Sequence, residues 1–295
     1  MKITFSYLVR QDEKTWNDFN KSIFLLEKKI LSRLNCKYDI LIFCEGKPNI
    51  KAEKIIEFLK KEKKINIIKK IINLKNYVAR DKEYDDIPHA SRCELLVPIG
   101  YRDMCKFYAQ SVFFDKNLDD SDYFIRLDTD SFFIDVRKKF IDQLNNLNCD
   151  YAYILNTDQY EDKAVSLGFG NCLYNYCQLN KTIELDKNYF QICSEATLKP
   201  KIFYTNFEVV KLKWVRNKPY NQIADYIIKT EGIYKNRWGD AMIRYYITKL
   251  INTDIKILNG CLYKHSGTYD SRSLIRRMIA KVYCKLTNNL FSNNF

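Results

Sequence analysis

The chain has 295 residues, of which 46% are hydrophobic and 15% aromatic, enough apolar material for one large domain or two small ones with a packed core. The formal net charge of +13 fits nucleic acid, an anionic membrane surface or a nucleotide diphosphate as partner, and does not choose among them. The ten cysteines form no Cys-x-x-Cys pair and there are two histidines, which excludes the common zinc-site spacings and favours free thiols in a reducing compartment. MKITFSYLVR reads as a strand rather than a signal peptide, and no window reaches 18 uninterrupted apolar residues. We therefore expect no transmembrane anchor and a cytoplasmic or peripheral membrane protein.

Strand and helix patterns alternate over the first two-thirds of the sequence. ITFSYLV predicts a strand, residues 12–34 carry apolar side chains at helical spacing, and YDILIFC predicts a second strand. A helix over 51–61, a strand within INIIKKIIN, a helix over 101–114 and a strand ending at Asp128 follow. This order predicts an α/β fold with a mostly parallel central sheet and helices on both faces.

The later sequence is less regular. Residues 150–200 are rich in Tyr, Asn and Cys without a clear period, and we expect a loop-rich elaboration there. A strand at KIFYTNFEVV, a helix between Pro219 and Gly232, a helix over 239–250 and a late strand and turn in DIKILNGCLYKHSG complete the pattern. No repeat or linker divides the chain, so we expect a single catalytic domain over 1–270 and a basic amphipathic tail over 271–295.

The run DYFIRLDTD places two carboxylates, Asp128 and Asp130, at the end of a buried strand. Carboxylates two positions apart on an extended segment share a face, so both can bind one hard divalent cation. Ligands of open α/β sheets gather at the carboxyl edge of the strands. The triplet therefore predicts a sugar-nucleotide site, although an exposed strand-to-turn junction explains many such triplets without chemistry.

Four segments in order resemble glycosyltransferase family 15, the fungal α-1,2-mannosyltransferases. They are YRDMCKF at 101–107, YFIRLDTDSFFIDV at 123–136, NFEVVKL at 206–212 and GIYKNRWGDA at 232–241. A fainter match starts at SYLVR, and residues 150–200 match poorly. The resemblance implies a GT-A fold and a metal-dependent, retaining mannosyltransferase that uses GDP-mannose and Mn²⁺ or Mg²⁺ to form an α-linkage on a glycan or glycoconjugate.

The resemblance also assigns roles to individual residues. Asp128, Asp130 and His265 are expected to hold the metal, and Glu208 is expected to act as the nucleophile or to stabilise the reacting sugar. Asp240 is expected to take part in catalysis and, with the face of Trp238, in acceptor binding. The residues expected to bind the donor and its cofactor are Arg10, Tyr101, Lys106, Arg126 and Asp128.

Each assignment has a simpler alternative. Glu208 can form a structural ion pair with a lysine, Asp240 can cap a helix, and His265 can be a solvated histidine. Lys106 replaces a family arginine and loses the bidentate fork, and His89 reads as a loop residue.

The donor and the partners also stay open at this stage. Asp-Thr-Asp replaces an acid-Pro-acid triplet of the family, so a UDP-sugar donor remains an alternative. Ile134 and Lys201 stand where the family has cysteines, which argues against secretory disulfides. A non-catalytic nucleic-acid or membrane-surface binder is the remaining alternative, and we expect no nucleic acid partner because the sequence carries none of the common nucleic-acid-binding signatures. The tail, with Ile275 and Ile279 interleaved with arginines, is expected either to contact a membrane peripherally or to pack on the domain.

Overall fold

A computed structural model describes residues 1–85, 98–154, 159–180, 185–265 and 268–270. Its strands are β1 Lys2–Val9, β2 Lys37–Cys44, β3 Ile67–Ile71, β4 Tyr123–Leu127, β5 Phe132–Val136, β6 Tyr151–Ile154, β7 Gln159–Tyr160, β8 Lys201–Ile202, β9 Phe207–Lys211, β10 Ile255–Leu258, β11 Cys261–His265 and β12 Thr268–Asp270. Its α-helices are α1 Glu13–Lys29, α2 Ile50–Lys61, α3 Leu74–Tyr77, α4 Ile99–Ala109, α5 Lys138–Asn145, α6 Phe169–Leu179, α7 Tyr189–Leu198, α8 Leu212–Val215, α9 Lys218–Lys229, α10 Gly232–Asn236 and α11 Asp240–Leu250.

The central sheet of the described chain has seven strands in the order β10-β6-β9-β4-β1-β2-β3. Strands β1, β2, β3 and β4 run parallel to one another, and β10 is parallel to β6. Strand β9 runs antiparallel to both of its neighbours, β4 and β6. The predicted α/β fold with a mostly parallel sheet is therefore confirmed, with β9 as the inserted antiparallel strand.

Helices cover both faces of this sheet, as predicted. Along β2, Ile40 and Ile42 point into a core shared with α1 and α2, whereas Leu41 and Phe43 point into a second core shared with α4. The alternation follows from the two-residue repeat of a strand. Because both faces of the central strands are buried, these strands are mostly apolar, and the charged residues within them, such as Arg126 and Glu208, are buried.

A small second sheet places part of the candidate site. Strand β5, which begins two residues after Asp130, pairs antiparallel with β11, and β11 pairs with β12. Lys264 lies opposite Phe132 in this register. His265, one residue further along, is thereby delivered beside the turn that links β4 to β5.

The expectation of a loop-rich segment over 150–200 is wrong. The described part contains strands β6 and β7 and two helices, α6 and α7. Helix α6 buries one stripe at helical spacing, which consists of Phe169, Cys172, Leu173, Tyr176 and Cys177. Aromatic and Cys residues have low intrinsic helix propensity, so tertiary packing of this stripe decided the structure. The single strand expected over 201–210 is likewise two strands, β8 and β9.

Two of the sequence predictions lie outside the described residues, namely the loop assignment of His89 and the basic tail over 271–295. Within the described residues, no helix has the length and apolar character needed to cross a bilayer.

Candidate active site

The turn from Asp128 to Ser131 follows β4 directly. The Ser131 backbone N–H donates to the Asp128 carbonyl at 3.0 Å and closes the turn, and the Asp128 N–H donates to the Asn206 carbonyl at 3.2 Å. The buried hydroxyl of Ser131 lies 2.5 Å from the Tyr263 hydroxyl, which also donates to Asn206 at 3.1 Å. These buried bonds fix the turn, and with it the direction of both carboxylates.

His265 bridges the two predicted metal-binding carboxylates. Its Nε2 lies 3.4 Å from Oδ2 of Asp128 and 3.1 Å from Oδ1 of Asp130. Burial lowers the pKa of His265, but the two carboxylates outweigh burial and raise the pKa to about 9. The ring of Tyr204 meets the imidazole edge to face at 5.9 Å. The structure therefore brings together the three residues that the sequence predicted.

Arg126 lies beneath Asp128 and joins it to α11. Its Nε donates to Oδ1 of Asp128 at 3.0 Å and its Nη1 to Oδ2 of Asp240 at 2.5 Å. The guanidinium stacks 3.7 Å from the centre of the Tyr108 ring, and the residue is 3% exposed. Burial acts to raise the pKa of Asp128, but Arg126 and then His265 outweigh it and hold that pKa below its usual range. Asp128 is thus held ionised at the site.

Asp240 is the first residue of α11 and is 4% exposed. The residue that caps this helix is Gly239, and no side chain makes the capping hydrogen bond. The carboxylate instead pairs with Arg126, and its position at a helix N-terminus adds a favourable interaction with the helix dipole. The simple capping role is therefore not observed, and acceptor binding by Asp240 stays a prediction.

Glu208 is buried in an ion pair, and its predicted catalytic role stays a prediction. It lies opposite Arg126 in the β4–β9 pairing and is 0% exposed. Its Oε2 accepts from Nε of Arg244 at 3.2 Å and from the Tyr151 hydroxyl at 3.0 Å. Burial raises the pKa of Glu208, and Arg244 and Arg126 offset part of that rise. This is the ion-pair alternative, formed with an arginine instead of a lysine, while the second oxygen, Oε1, is buried without a hydrogen-bond partner among the described residues.

The metal-binding prediction can be tested on the donor atoms. Among the described residues, no three His, Cys, Asp or Glu side chains already enclose a common metal position, and His265 itself spans the two carboxylates. Ligands about 2.1 Å from a cation and at right angles lie about 3.0 Å apart, close to the 3.1 and 3.4 Å separations of Nε2 and the carboxylate oxygens. Two hard oxygens and one imidazole suit Mn²⁺. The residues present therefore fit such a cation.

Tyr101 and Arg10, two of the predicted donor-binding residues, lie at different positions around the acidic turn. Tyr101 faces the N-terminal end of α11, where its ring lies 5.3 Å from the Arg237 guanidinium. Arg10 is exposed just after β1, at the edge where β4 also ends. Both positions suit donor binding, which stays a prediction for them.

Lys106 contacts two neighbouring segments. Its ammonium donates to the Ala79 carbonyl at 3.2 Å and lies 5.7 Å from the Tyr234 ring. Burial lowers the pKa of Lys106. Positions 101 and 106 are five residues apart on α4, about 140° around the helix, so the two side chains leave the helix in different directions. Donor binding by Lys106 stays a prediction.

Trp238, predicted to offer a face to the acceptor sugar, packs inside the core, and its acceptor contact stays a prediction. The indole is 3% exposed and its Nε1 donates to the Leu167 carbonyl at 3.0 Å. The ring meets Phe169 edge to face at 5.1 Å. It also covers Gly232, where an added Cβ would lie 2.2 Å from a ring atom. Trp238 is a core residue that packs α10 against α6.

Sequence reasoning missed Arg244. The residue is 1% exposed and also donates to the Tyr108 carbonyl at 2.6 Å and to the Tyr220 hydroxyl. The available signal was its position four residues after Asp240, on the same stripe of α11 as the apolar Ile243 and Ile247. A charge within an apolar stripe indicates a buried ionic partner, here Glu208.

A family model described as "Glycolipid 2-alpha-mannosyltransferase" matches residues 1–292 of the chain. The chain belongs to this family. The resemblance found in the four sequence segments is thereby confirmed. Among curated members, "Probable mannosyltransferase KTR3" of Saccharomyces cerevisiae is 26% identical over 186 residues, which are 61% of this chain and 44% of that protein. The "O-glycoside alpha-1,2-mannosyltransferase omh1" of Schizosaccharomyces pombe is 22% identical over 284 residues, covering 90% of this chain and 70% of that protein.

Solved structures of family members share the fold. The mannosyltransferase Ktr4p from S. cerevisiae matches with a TM-score of 0.73 and 19% identity, covering 91% of this chain and 71% of that chain. Core-mannan synthase A from Aspergillus fumigatus, solved in a Mn/GDP form, matches with a TM-score of 0.71 and 16% identity over 92% of this chain and 76% of that chain. These likenesses confirm the predicted GT-A type fold for this member of the glycolipid 2-alpha-mannosyltransferase family.

Proposed function

We propose that this chain is a metal-dependent, retaining hexosyltransferase that transfers mannose from GDP-mannose to a hydroxyl of a glycan or glycoconjugate and forms an α-linkage. The observation that carries the proposal is the meeting of Asp128, Asp130 and His265 at the carboxyl edge of the sheet. Family membership supports the choice of mannose, and the Mn/GDP form of core-mannan synthase A supports the choice of metal and nucleotide.

The donor's diphosphate requires charge compensation at this edge. Asp128, Asp130 and His265 would hold the cation, which when bound neutralises the diphosphate and stabilises the negative charge on the leaving nucleotide. Arg126 keeps Asp128 ionised and fixes its direction through the 3.0 Å bond from Nε. Tyr101 and Arg10 lie where they can contact the nucleotide.

The burial of Glu208 bears on how the configuration is retained. A covalent glycosyl-enzyme needs a carboxylate that reaches the anomeric carbon. Glu208 is 0% exposed and its Oε2 accepts from Arg244 and Tyr151, whereas its Oε1 has no hydrogen-bond partner among the described residues. The geometry therefore supports transfer on the same face of the donor, with Glu208 stabilising the arrangement of Arg126 and Arg244.

A panel of sugar nucleotides tests the proposal. Purified protein is mixed with GDP-mannose, UDP-glucose or UDP-N-acetylglucosamine, each with and without Mn²⁺, and thermal unfolding and donor hydrolysis are recorded. A ligand at 100 times its Kd stabilises the folded state by about 2.7 kcal/mol, so the preferred donor gives the largest shift. We expect stabilisation and slow hydrolysis with GDP-mannose only when Mn²⁺ is present.

Two results would contradict this choice. Preferential hydrolysis of a UDP-sugar would keep the reaction class and replace the donor. No hydrolysis of any donor, together with tight and salt-sensitive binding to DNA or anionic liposomes, would instead favour the non-catalytic alternative. Peripheral membrane contact through residues 271–295 is part of the proposal, and the binding of the protein to anionic liposomes tests it.

A further inference from the structure

The hairpin formed by α6 and α7 brings two cysteines together. Cys177 lies near the end of α6 and Cys193 in the middle of α7. Both carry free thiols that are buried, with exposed fractions of 6% and 4%. The S–H of Cys193 donates a hydrogen bond to the Cys177 sulfur. Side chains in such contact meet the first requirement for a disulfide bond, which is proximity of the two side chains.

Further contacts show that the two helices lie close together and run in opposite directions. An added Cβ on Gly170, in the first turn of α6, would lie 2.4 Å from the Cys193 carbonyl oxygen and 2.0 Å from the Thr197 hydroxyl. At the other end of α6, the Gln178 amide donates to the Tyr189 hydroxyl at 2.9 Å. Tyr189 is the first residue of α7, so the start of each helix lies beside the end of the other.

The direction of the Cys193 side chain follows from this packing. The carbonyls of a helix point toward its C-terminus, whereas its Cα–Cβ bonds tilt toward its N-terminus. Because the Cys193 carbonyl faces Gly170, the Cys193 side chain points the opposite way along α6, toward Cys177. Gly170 and Cys177 are seven residues apart, which places both on the stripe of α6 that faces α7. The two helices themselves therefore align the pair.

The hydrogen bond between the thiols also makes one of them the better nucleophile. It lowers the pKa of Cys177, although burial acts in the opposite direction, and it raises the pKa of Cys193. The thiolate is the form of cysteine that attacks a disulfide. Cys172, a third thiol on this hairpin, lies 3.8 Å from the Thr230 hydroxyl, and burial raises its pKa to about 11. Cys177 is therefore the attacking thiol, and Cys172 provides a matched control.

We propose that Cys177 and Cys193 are a redox modification site, at which a low-molecular-weight disulfide such as glutathione disulfide converts them to a reversible disulfide bond. The Cys177 thiolate attacks one sulfur of glutathione disulfide, whose S–S bond breaks and releases one glutathione thiolate. Cys193 loses its proton to solvent, attacks the Cys177 sulfur of this mixed disulfide and releases the second glutathione. The protein thiols lose two electrons and two protons, and glutathione disulfide takes them up as two thiols.

The disulfide would join the two helices beside a support of the candidate site. The Leu167 carbonyl, just before α6, accepts from the Trp238 indole, and Phe169 of α6 meets the same ring edge to face. A cross-link between α6 and α7 restricts the unfolded chain and so stabilises the folded hairpin. Both cysteines lie in the segment 150–200, which matches the family poorly, so family membership does not predict this pair. The modification is also independent of the proposed function.

Peptide mapping under non-reducing conditions tests the proposal. The protein is incubated with glutathione disulfide, its remaining thiols are blocked, and trypsin cleaves after Lys181 and Lys187, which separates the two cysteines. Cys177→Ala and Cys193→Ala are compared with the control Cys172→Ala. We expect the cross-linked peptides in the unmodified protein and the control, and in neither site variant. Oxidation should raise the midpoint of thermal unfolding by about 5 °C or more, and an excess of reduced glutathione should reverse both changes.

Three outcomes would overturn the proposal. Thiols that stay unoxidised, or that form mixed disulfides with glutathione without a cross-link, would show that Cys177 and Cys193 cannot form the bond. A cross-link through Cys172 would assign the modification to another pair. A cross-link between Cys177 and Cys193 that leaves the unfolding midpoint unchanged would show that the bond does not stabilise the hairpin. The peptide map and the unfolding midpoint of the unmodified protein need no substitution, so they decide the matter even if a cysteine variant fails to fold.

Discussion

Replacing Glu208 by glutamine tests the charge state of the buried pair beneath the candidate site. The structure surrounds this carboxyl with Arg244 at 3.2 Å and places Arg126 opposite it in the neighbouring strand. Glutamine keeps the size and one acceptor oxygen for Tyr151, and it removes only the charge. The variant therefore separates an ionised Glu208 from a neutral one.

The expected loss of stability in Glu208→Gln differs between these two charge states. If Glu208 is ionised, the variant leaves the buried Arg244 guanidinium without its counter-charge, which costs about 3–5 kcal/mol. If Glu208 is neutral, the substitution is nearly isosteric and costs about 1 kcal/mol or less. We expect the larger value, because Arg244 and Arg126 lie against the carboxylate and stabilise its ionised form, although burial leaves its pKa raised. In a domain of this size, that loss lowers the unfolding midpoint by roughly 6–20 °C.

Chemical denaturation measures the difference directly. Glu195→Gln is the matched control, because Glu195 pairs with Lys201 at 2.8 Å while their side chains are 35% and 33% exposed, and such surface pairs contribute about 0–1 kcal/mol. The double variant Glu208→Gln with Arg244→Met should recover part of the loss. A Glu208→Gln protein as stable as the control would refute the ionised pair. If this variant kept its stability but lost its turnover, a role for Glu208 as the nucleophile would gain support.

Three further predictions address the scaffold. Asp115 is buried and accepts from Lys70 at 2.5 Å and from Tyr77 at 2.7 Å. Burial acts to raise the pKa of Asp115, but these partners hold that pKa below its usual range. The difference in stability between the unmodified protein and Asp115→Asn should therefore be largest above about pH 4 and disappear as the pH falls further. A difference between the two proteins that does not change with pH would contradict the ion pair. Gly232→Ala should lower the free energy of unfolding by about 1–3 kcal/mol or more, because the added Cβ would enter the Trp238 ring. Gly100→Ala is the control, since nothing lies within 4 Å of its added Cβ, and it should change the free energy of unfolding by less than about 1 kcal/mol. Equal effects of the two substitutions would show that Trp238 does not pack against Gly232. Tyr263→Phe removes the bonds to Ser131 and Asn206, so we expect weaker Mn²⁺-dependent GDP binding with a fold retained by circular dichroism, and unchanged binding would show that these bonds do not position the turn.

Local sequence patterns were sufficient to predict the first strands and helices of the fold and the acidic turn after β4. Strands β1 to β4 are rich in β-branched and aromatic residues, and the chain order of strand and helix leads to the parallel arrangement. The position of Asp128 and Asp130 follows from the end of β4. The meeting with His265 followed only from the family resemblance, because it depends on the β5–β11 pairing across more than a hundred residues.

The surroundings of three candidate residues could not be predicted locally, because burial depends on contacts distant in sequence. Gly232 and Phe169 pack on Trp238. Arg244 reaches Glu208 from α11. Lys106 contacts Ala79 and Tyr234, which no local pattern places beside α4.

The most direct test of the account is Mn²⁺-dependent binding of GDP, measured by titration calorimetry. The unmodified protein is compared with Asp130→Ala and with Asp135→Ala, whose carboxylate is exposed on the adjoining strand β5. We predict that GDP binds the unmodified protein and Asp135→Ala with equal affinity when Mn²⁺ is present, and that Asp130→Ala loses at least about tenfold in affinity while remaining folded. Equal GDP affinity of Asp130→Ala and the unmodified protein, at the same Mn²⁺ concentration, would contradict the assignment of Asp128, Asp130 and His265 as the metal site.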